Sequence, residues 1–255
     1  MIVSFITQEG GVGKSSLTYN LACYMAHKKE NPKRVLIVDM DGQSSNLTMI
    51  AGVDKKDIFT VSDILTETCT VMEAVKEISE NLFIVPANDF VSDLPATIKC
   101  EKIPFDRLRK KLSEVKDSFD YIFIDSGPSP SSAHEIALIA SDYMIVPMTT
   151  DYKSIEAATS MIFIYNNIRE KKNPDLKNIK LVFNTYDERA VISRSVITVL
   201  SKTCNACGVD IAKTKIPRSK KFSEASAFGR GITDHAEKSK QAKTVIDLAN
   251  ELFGE

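Results

Sequence analysis

A glycine-rich segment near the amino terminus constrains the fold of this chain more than any other feature. Residues 8–16 read QEGGVGKSS and lie between the apolar run Ile2–Ile6 and a stretch of helical periodicity that begins near Ser15. The segment fits the end of the phosphate-loop pattern G-x-x-x-x-G-K-[ST], with Gln8 in place of the first glycine. Strand, loop and helix therefore follow one another in the order that a phosphate site of this kind requires.

The residue types in this segment suit a nucleoside triphosphate. Glycines let successive backbone N–H groups point at phosphate oxygens, and the next helix directs its positive end at the same anion. Lys14 would reach the terminal phosphates, and the Ser15 hydroxyl would bind Mg²⁺. The alternative is a glycine-rich turn with an incidental lysine. The predicted nucleotide-binding residues of the segment are Gly10, Gly11, Val12, Gly13, Lys14, Ser15 and Ser16.

Two further segments place carboxylates directly after predicted buried strands. Asp39 and Asp41 follow the first of these strands, and Asp125 ends the second. Parallel sheets bind ligands at the carboxyl ends of their strands, and the Asp125 segment has the Walker B pattern, in which a strand delivers a carboxylate to a metal. Residues 126–130, SGPSP, are predicted to form a loop that senses a γ-phosphate. A solvated acidic turn is the alternative for the first pair.

The length and composition suit one α/β domain. The chain has 255 residues, 43% of them hydrophobic and 26% charged, and its net charge of −1 gives no overall attraction to DNA or membranes. Alternating strands and helices predict a single domain, residues 1–255, with a doubly wound, mostly parallel sheet flanked by helices. The predicted strands are 2–6, 34–38, 81–86, 119–125, 142–148, 179–183 and 209–215. The predicted helices are 15–28, 61–65, 71–78, 105–115, 131–140, 153–171, 191–207 and 236–253.

Cysteine usage and the absence of targeting patterns predict a cytoplasmic protein. The five cysteines form an odd set with no regular framework, which indicates reduced thiols. Cys204 and Cys207 have metal-ligand spacing, but no second pair completes a four-ligand zinc site, so we favour two small residues on a helix. We identify neither a signal-peptide pattern nor an apolar run long enough to span a membrane.

The motifs resemble those of the ParA/Soj partition ATPases, which belong to the deviant Walker A class together with MinD and the nitrogenase iron protein. The family's loop K-G-G-x-G-K-[ST] is similar to residues 9–15, with Glu9 in place of the first lysine. Its D-x-D-P-Q turn is similar to residues 39–43, with Gly42 in place of proline, and its D-x-P-P to residues 125–128, with one proline lost. Its I-P-R…E-A-P segment is similar to residues 216–225. The resemblance covers nearly the whole chain.

The resemblance implies an ATPase and assigns roles to residues. Lys14 would hold the β- and γ-phosphates, Ser15 would bind Mg²⁺, and Asp125 would act on the metal through water. Asp41 would position or activate the attacking water, while Asp39 would sit behind it and orient the turn. Family members form dimers that sandwich ATP, so the nucleotide is expected to control the oligomeric state here.

Glu9 is the departure with the largest expected consequence. In the family this position holds the signature lysine, which reaches across the dimer to the partner's phosphates. Two unit charges about 4 Å apart interact by roughly 1–4 kcal/mol, so a reversed sign would weaken the closed dimer. Three interpretations stay open: a variant residue that traps one state, a natural change that weakens hydrolysis, or a side chain that points away while another cation acts. We favour impaired hydrolysis.

The resemblance also bears on the choice of base. Residues 184–187, NTYD, end a strand and are similar to the guanine-binding N-K-x-D motif, but the lysine is missing. The family implies adenine, with Asn184 and Pro217 near the base, and we therefore predict ATP rather than GTP.

Several basic residues lie between positions 189 and 230 and bear on whether the chain binds DNA. By themselves they predict a solvated face. The resemblance to ParA implies instead non-specific DNA binding, a ParB-like adaptor and association with the nucleoid. The alternatives are a MinD-like membrane-cycling ATPase, which would need a basic amphipathic tail, and a non-hydrolysing switch or scaffold. We predict that the last helix docks on the core. The predicted DNA contacts are Arg189, Arg218, Lys220, Lys221 and Arg230.

Overall fold

The computed structural model describes residues 1–42, 46–56, 58–128 and 132–254, and a mostly parallel sheet forms its centre. Within these residues the sheet has eight strands in the order β3-β4-β2-β5-β1-β6-β7-β8. Each neighbouring pair is parallel except β3 and β4. The predicted doubly wound, mostly parallel sheet is therefore confirmed. The strands are β1 (Ile2–Phe5), β2 (Val35–Met40), β3 (Lys76–Ser79), β4 (Leu82–Val85), β5 (Tyr121–Ser126), β6 (Tyr143–Met148), β7 (Asn178–Phe183) and β8 (Asp210–Ile211).

Helices cover both faces of the sheet, because the central strands are apolar on both sides. In β2, Val35 and Ile37 face one hydrophobic cluster, whereas Leu36 and Val38 face the other. A 3-10 helix also spans Asp89–Asp93. The α-helices are α1 (Lys14–His27), α2 (Asn46–Ile50), α3 (Val61–Leu65), α4 (Val71–Ala74), α5 (Leu94–Cys100), α6 (Arg107–Ser113), α7 (Ser132–Ala140), α8 (Lys153–Lys171), α9 (Val191–Cys207), α10 (Lys220–Ala227), α11 (Ile232–His235) and α12 (Lys240–Phe253).

The strand order places the predicted site segments at one edge. β1 lies between β5 and β6, so chain connections leave it in opposite directions and open a crevice at the carboxyl ends of the strands. The register pairs Asp125 with Phe5 on one side and with Asp39 on the other. Asp39 was predicted to follow its strand, but β2 continues through Asp39 to Met40. The two aspartates are consequently direct neighbours across the sheet.

Three predicted elements have different bounds in the structure, because other hydrogen bonds compete with the predicted pattern. The helix predicted over 71–78 ends at Ala74, and Lys76–Ser79 instead pairs with β4 at the sheet edge. The strand predicted over 209–215 shortens to Asp210–Ile211, since the backbone N–H groups of Lys213 and Thr214 donate to the Glu251 carboxylate. The last helix starts at Lys240, where Ser239 caps it, rather than at residue 236.

The last helix docks on the core as predicted. Its face of Val245, Leu248 and Leu252 is buried in the cluster that α1 also joins, and Phe253 stacks on Phe123 with ring centroids 5.6 Å apart. Ile246, on the neighbouring side of the helix, is only half-buried. Among the described residues, none of the helices is both long and apolar enough to span a bilayer.

Candidate nucleotide-binding site

The glycine-rich segment forms a tight loop between β1 and α1. Gly11 and Gly13 adopt left-handed backbone conformations with φ of 75° and 76°. A Cβ atom at Gly13 would lie 2.6 Å from the Asn184 Nδ2 atom, so only glycine permits this approach. Gly13 caps α1, which begins at Lys14. The loop therefore delivers Lys14 and the positive end of the helix to the crevice.

Lys14, Ser15 and Asp125 meet at the floor of the crevice. The Lys14 Nζ atom lies 2.8 Å from Asp125 Oδ1, and the Ser15 hydroxyl donates to Asp125 Oδ2 at 2.7 Å. Lys14 and Asp125 are buried. Burial raises the pKa of the Asp125 carboxyl, while the Lys14 ammonium and the Ser15 hydroxyl act in the opposite direction. Lys14 is thus paired with Asp125 in this structure, and an anionic ligand in the crevice would have to compete with Asp125 for the ammonium group.

Asp39 holds the backbone that carries Asp41. Its Oδ1 atom accepts the Asp41 N–H at 3.1 Å, and its Oδ2 atom accepts the N–H and the hydroxyl of Thr48 at 3.1 and 2.7 Å. The Thr48 hydroxyl accepts in turn from the Ala87 N–H at 2.8 Å. Burial, and then the facing Asp125, raise the pKa of Asp39 to about 7. Asp39 acts on the site through the position of Asp41.

Steric contact explains why position 42 is a glycine. A Cβ atom there would lie 2.0 Å from the Ser92 backbone nitrogen, so the 3-10 helix could not approach the turn if the residue had a side chain. Asp41 itself is buried beside Gly127, where an added Cβ would lie 3.4 Å from Asp41 Oδ1. Gln43 of the predicted acidic turn, and Ser129 and Pro130 of the predicted γ-phosphate loop, lie outside the described residues.

Glu9 lies at the mouth of the crevice, and its carboxylate binds the start of α8. The Thr149 hydroxyl donates to Glu9 Oε1 at 2.8 Å, and the Ser154 hydroxyl donates to Glu9 Oε2 at 2.8 Å. Both carboxylate oxygens of Glu9 are thus bound by hydroxyl groups, although the residue also lines the crevice.

Two cavities join along the loop. One, of about 380 Å³, is lined by residues 9–16 together with Asp41 and Pro128. The other, of about 390 Å³, is lined by Asn184 and Pro217 among others, and both cavities contact Gly13 and Ser16. Cavities of this size hold small ligands, and the pair has one polar, glycine-rich end. A larger cavity of about 700 Å³ lies between the ends of α1 and α12 and contains none of the predicted site residues.

Comparison with known proteins decides the family. Residues 1–178 match the model of the AAA domain (AAA_31). The sporulation initiation inhibitor protein Soj of Bacillus subtilis is 32% identical over 98% of this chain and 97% of its own length. The chain belongs to the Soj/ParA family of P-loop ATPases.

A second Soj protein is similar over nearly its full length, and a solved structure shares the fold. The chromosome-partitioning ATPase Soj of Treponema pallidum is 28% identical over 97% of this chain and 95% of its own length. An ATP complex of McdA from Cyanothece has the same fold, with a TM-score of 0.84 at 17% identity over 98% of this chain and 95% of that one.

In this Soj/ParA-family chain, Asn184 contacts the phosphate loop directly. Its Nδ2 atom donates to the carbonyl oxygens of Val12 and Gly13 at 2.7 and 3.1 Å. Asn184 was predicted to lie near the base. The structure places it on the wall that the second cavity shares with the phosphate loop, together with Pro217. Asn184 therefore connects the candidate base cavity to the backbone that would hold the phosphates.

We expect Asn184→Ala to lower the free energy of unfolding by about 1–3 kcal/mol, because two buried carbonyl oxygens lose their donor. Affinity for ADP should fall about tenfold as the loop loosens. Asn184→Asp should be worse than alanine, since a carboxylate would face two carbonyl oxygens. Thermal unfolding and titration calorimetry measure both effects, with Asn250→Ala on the exposed side of α12 as the matched control. An aspartate variant as stable as wild type would contradict the geometry.

The predicted DNA residues occupy two places on the surface. Arg218, Lys220 and Lys221 cluster at the start of α10. Pro217 bridges to Tyr186, which brings this cluster beside the segment that carries Arg189. Arg230 lies beyond the opposite end of α10. All five basic side chains are exposed.

Several polar residues at the site were missed by the sequence analysis. They are Thr18, Thr48, His134, Thr149 and Ser154. Thr18 follows Lys14 by one helical turn, and its hydroxyl lies 3.2 Å from Asp125 Oδ1, so helical spacing was an available signal. His134 donates from Nε2 to the Gly127 carbonyl at 2.7 Å, and burial lowers the pKa of its ring. For Thr48, Thr149 and Ser154 no local pattern exists.

Proposed function

We propose that this chain is a Mg-ATP-dependent DNA-partition ATPase that dimerises on ATP, binds DNA without sequence preference and releases it after hydrolysis. One observation carries the proposal. Two adjacent cavities flank the glycine-rich loop, one of them lined by Lys14 and Asp41, in a chain similar over nearly its full length to Soj proteins. A ParB-like adaptor would stimulate hydrolysis.

Nucleotide binding would exchange the partner of Lys14. The triphosphate would replace Asp125 at the Lys14 ammonium, since phosphate oxygens also accept charge-assisted hydrogen bonds. The Ser15 hydroxyl and the Asp125 carboxylate, now 2.7 Å apart, would then be available as hard oxygen ligands. Such a donor set fits Mg²⁺, which takes one or two protein oxygens and completes its shell with phosphates and water. Ser15 would bind the ion directly and Asp125 through water, and the ion would neutralise phosphate charge.

Hydrolysis would depend on Asp41. Little covalent work falls to the protein in phosphoryl transfer, so positioning the attacking water is its main task beyond charge stabilisation. Asp41 lines the cavity of about 380 Å³ at the glycine-rich loop, which we call the phosphate cavity. The Asp41 backbone is held by Asp39, whose carboxylate is held in turn by Thr48. Asp39 would thus be a positioning residue behind Asp41.

Lys221→Glu is expected to weaken binding to arbitrary duplex DNA about fivefold at low salt and to reduce the salt slope by about one. Lys221 suits this test best, because Arg218 and Lys220 also line the cavity beside Asn184, where substitution would affect the candidate nucleotide site as well. Lys171→Glu, an equal charge reversal on the last turn of α8, is the matched control. If both variants bind DNA equally well, the DNA surface lies elsewhere.

The proposed function is tested by DNA binding with ATP, with ADP and without nucleotide. Binding with ATP alone would support the partition mechanism and show that Glu9 permits the dimer. Where the wild type fails to bind, Glu9→Lys restores binding if Glu9 blocks the dimer. Failure of both chains would contradict DNA partition and favour a switch or scaffold. The membrane alternative lacks support from α12, whose apolar face is already packed against α1 and the sheet.

A further inference from the structure

Hydrogen bonds from two hydroxyl groups fix the position of the Glu9 carboxylate. Glu9 lines the phosphate cavity, yet both of its carboxylate oxygens accept hydrogen bonds from hydroxyl groups at the other side of the cavity mouth. Ser154 is fully buried, and Thr149 is half-buried. The carboxylate is therefore held by two donors rather than left in solvent.

The position of Ser154 at the start of a long helix further stabilises the Glu9 carboxylate. Ser154 is the second residue of α8, a helix of 19 residues, so the carboxylate lies at the positive end of that helix. The Thr149 and Ser154 oxygens lie 2.9 Å apart, and the Thr149 oxygen also lies 3.1 Å from Asp151 Oδ2, so the single proton of Thr149 is shared between two carboxylates while that of Ser154 goes to Glu9. Charge-assisted hydrogen bonds of this kind are about twice as strong as neutral ones.

We propose that Thr149 and Ser154 are positioning residues that hold the Glu9 carboxylate against the start of α8, away from the phosphates of ATP. The inference rests on the nucleotide site proposed above. Without the two hydroxyls the Glu9 side chain turns toward the phosphate cavity that it lines. Its negative charge then repels the terminal phosphate, which ATP has and ADP lacks. The two hydroxyls thereby make an acidic residue compatible with a triphosphate at this loop.

The double variant Thr149→Val/Ser154→Ala tests this role. Its affinity for a non-hydrolysable ATP analogue should fall about tenfold, while its affinity for ADP should fall less than about threefold. In a Glu9→Gln background the same two substitutions should leave the ratio of the two affinities unchanged, because the freed side chain carries no charge. Titration calorimetry gives both dissociation constants.

Two further variants separate positioning from general loosening. The single variant Thr149→Ser keeps both hydroxyl groups, so its ratio of ATP-analogue affinity to ADP affinity should equal that of the wild type. Thr159→Val removes a hydroxyl of the same helix that bonds only to the Ile155 carbonyl, and it should change neither affinity.

Three results would overturn the inference: unchanged ATP-analogue affinity in the double variant, equal losses for both nucleotides, or the same ATP-selective loss in the Glu9→Gln background. Each requires that the wild type binds both nucleotides. A wild type that binds neither would overturn the proposed function, and this inference with it.

Discussion

Lys14→Ala is expected to reduce ATP affinity by about two orders of magnitude. The ammonium is the buried cation on the floor of the phosphate cavity, and truncating one partner of a buried charge pair costs about 2–5 kcal/mol. The variant also leaves Asp125 buried without its cation, which should lower the free energy of unfolding by about 3–5 kcal/mol. Calorimetric titration with ATP and a denaturant melt measure the two effects separately.

A second substitution separates lost binding from lost stability. In Lys14→Ala/Asp125→Asn the buried charge is removed together with its partner, so stability should recover while ATP affinity stays low. Ser15 and Thr18 contact different oxygens of Asp125, so one hydroxyl can donate to the asparagine oxygen and the other can accept from its amide NH2 group. ATP affinity that returns with stability would mean that Lys14 acts through the fold and not through the phosphates. Retained affinity in the single variant would remove the phosphate-loop assignment altogether.

Asp41→Ala is expected to slow ATP hydrolysis by at least about a hundredfold with ATP affinity within about threefold of wild type. A side chain that positions or deprotonates the attacking water typically contributes 10²–10⁴-fold to the rate, whereas the phosphates are held by other groups. A single-turnover assay with ATP suits this test, because it reads slow rates and separates hydrolysis from product release.

Asp41→Asn and a surface control complete this experiment. Asparagine keeps the shape of the side chain without its charge, so a rate close to that of alanine would assign the effect to the carboxylate. Asp117→Ala removes an exposed carboxylate and should hydrolyse ATP as the wild type does. Turnover in Asp41→Ala equal to wild type would exclude Asp41 from the mechanism, and Asp125 would become the residue to test.

The phosphate loop and the sheet could be predicted from the sequence, because both are specified by local sequence patterns. Apolar runs such as Val35–Val38 predict buried parallel strands, and the glycine–lysine spacing predicts a helix from Ser15, one residue after the observed start of α1 at Lys14. The helix over 191–207 was predicted with the bounds that the structure has. It also contains Cys204 and Cys207, of which the first is buried and the second, at the last residue of the helix, is exposed.

Hydrogen bonds to other elements explain two of the bounds that local patterns missed. The short β8 depends on a carboxylate of α12, since Glu251 takes the two N–H groups that would have continued the strand. The edge strand β3 exists because β4 offers a free antiparallel side, which a helical pattern over 71–78 could not anticipate. Hydrogen bonds to a distant helix for β8, and to the next strand of the chain for β3, override a weak local preference.

By itself, then, the sequence determined the family, the fold class and the residues of the phosphate loop, because glycine, lysine and apolar runs act through local backbone geometry and burial. Only the tertiary structure decided how their charges are arranged. The sheet register placed Asp39 opposite Asp125, and the crevice paired Asp125 with Lys14. The fold also brought the Thr149 and Ser154 hydroxyls to the Glu9 carboxylate. Electrostatic interactions depend on distance and burial, and the fold alone sets these for residues far apart in the chain.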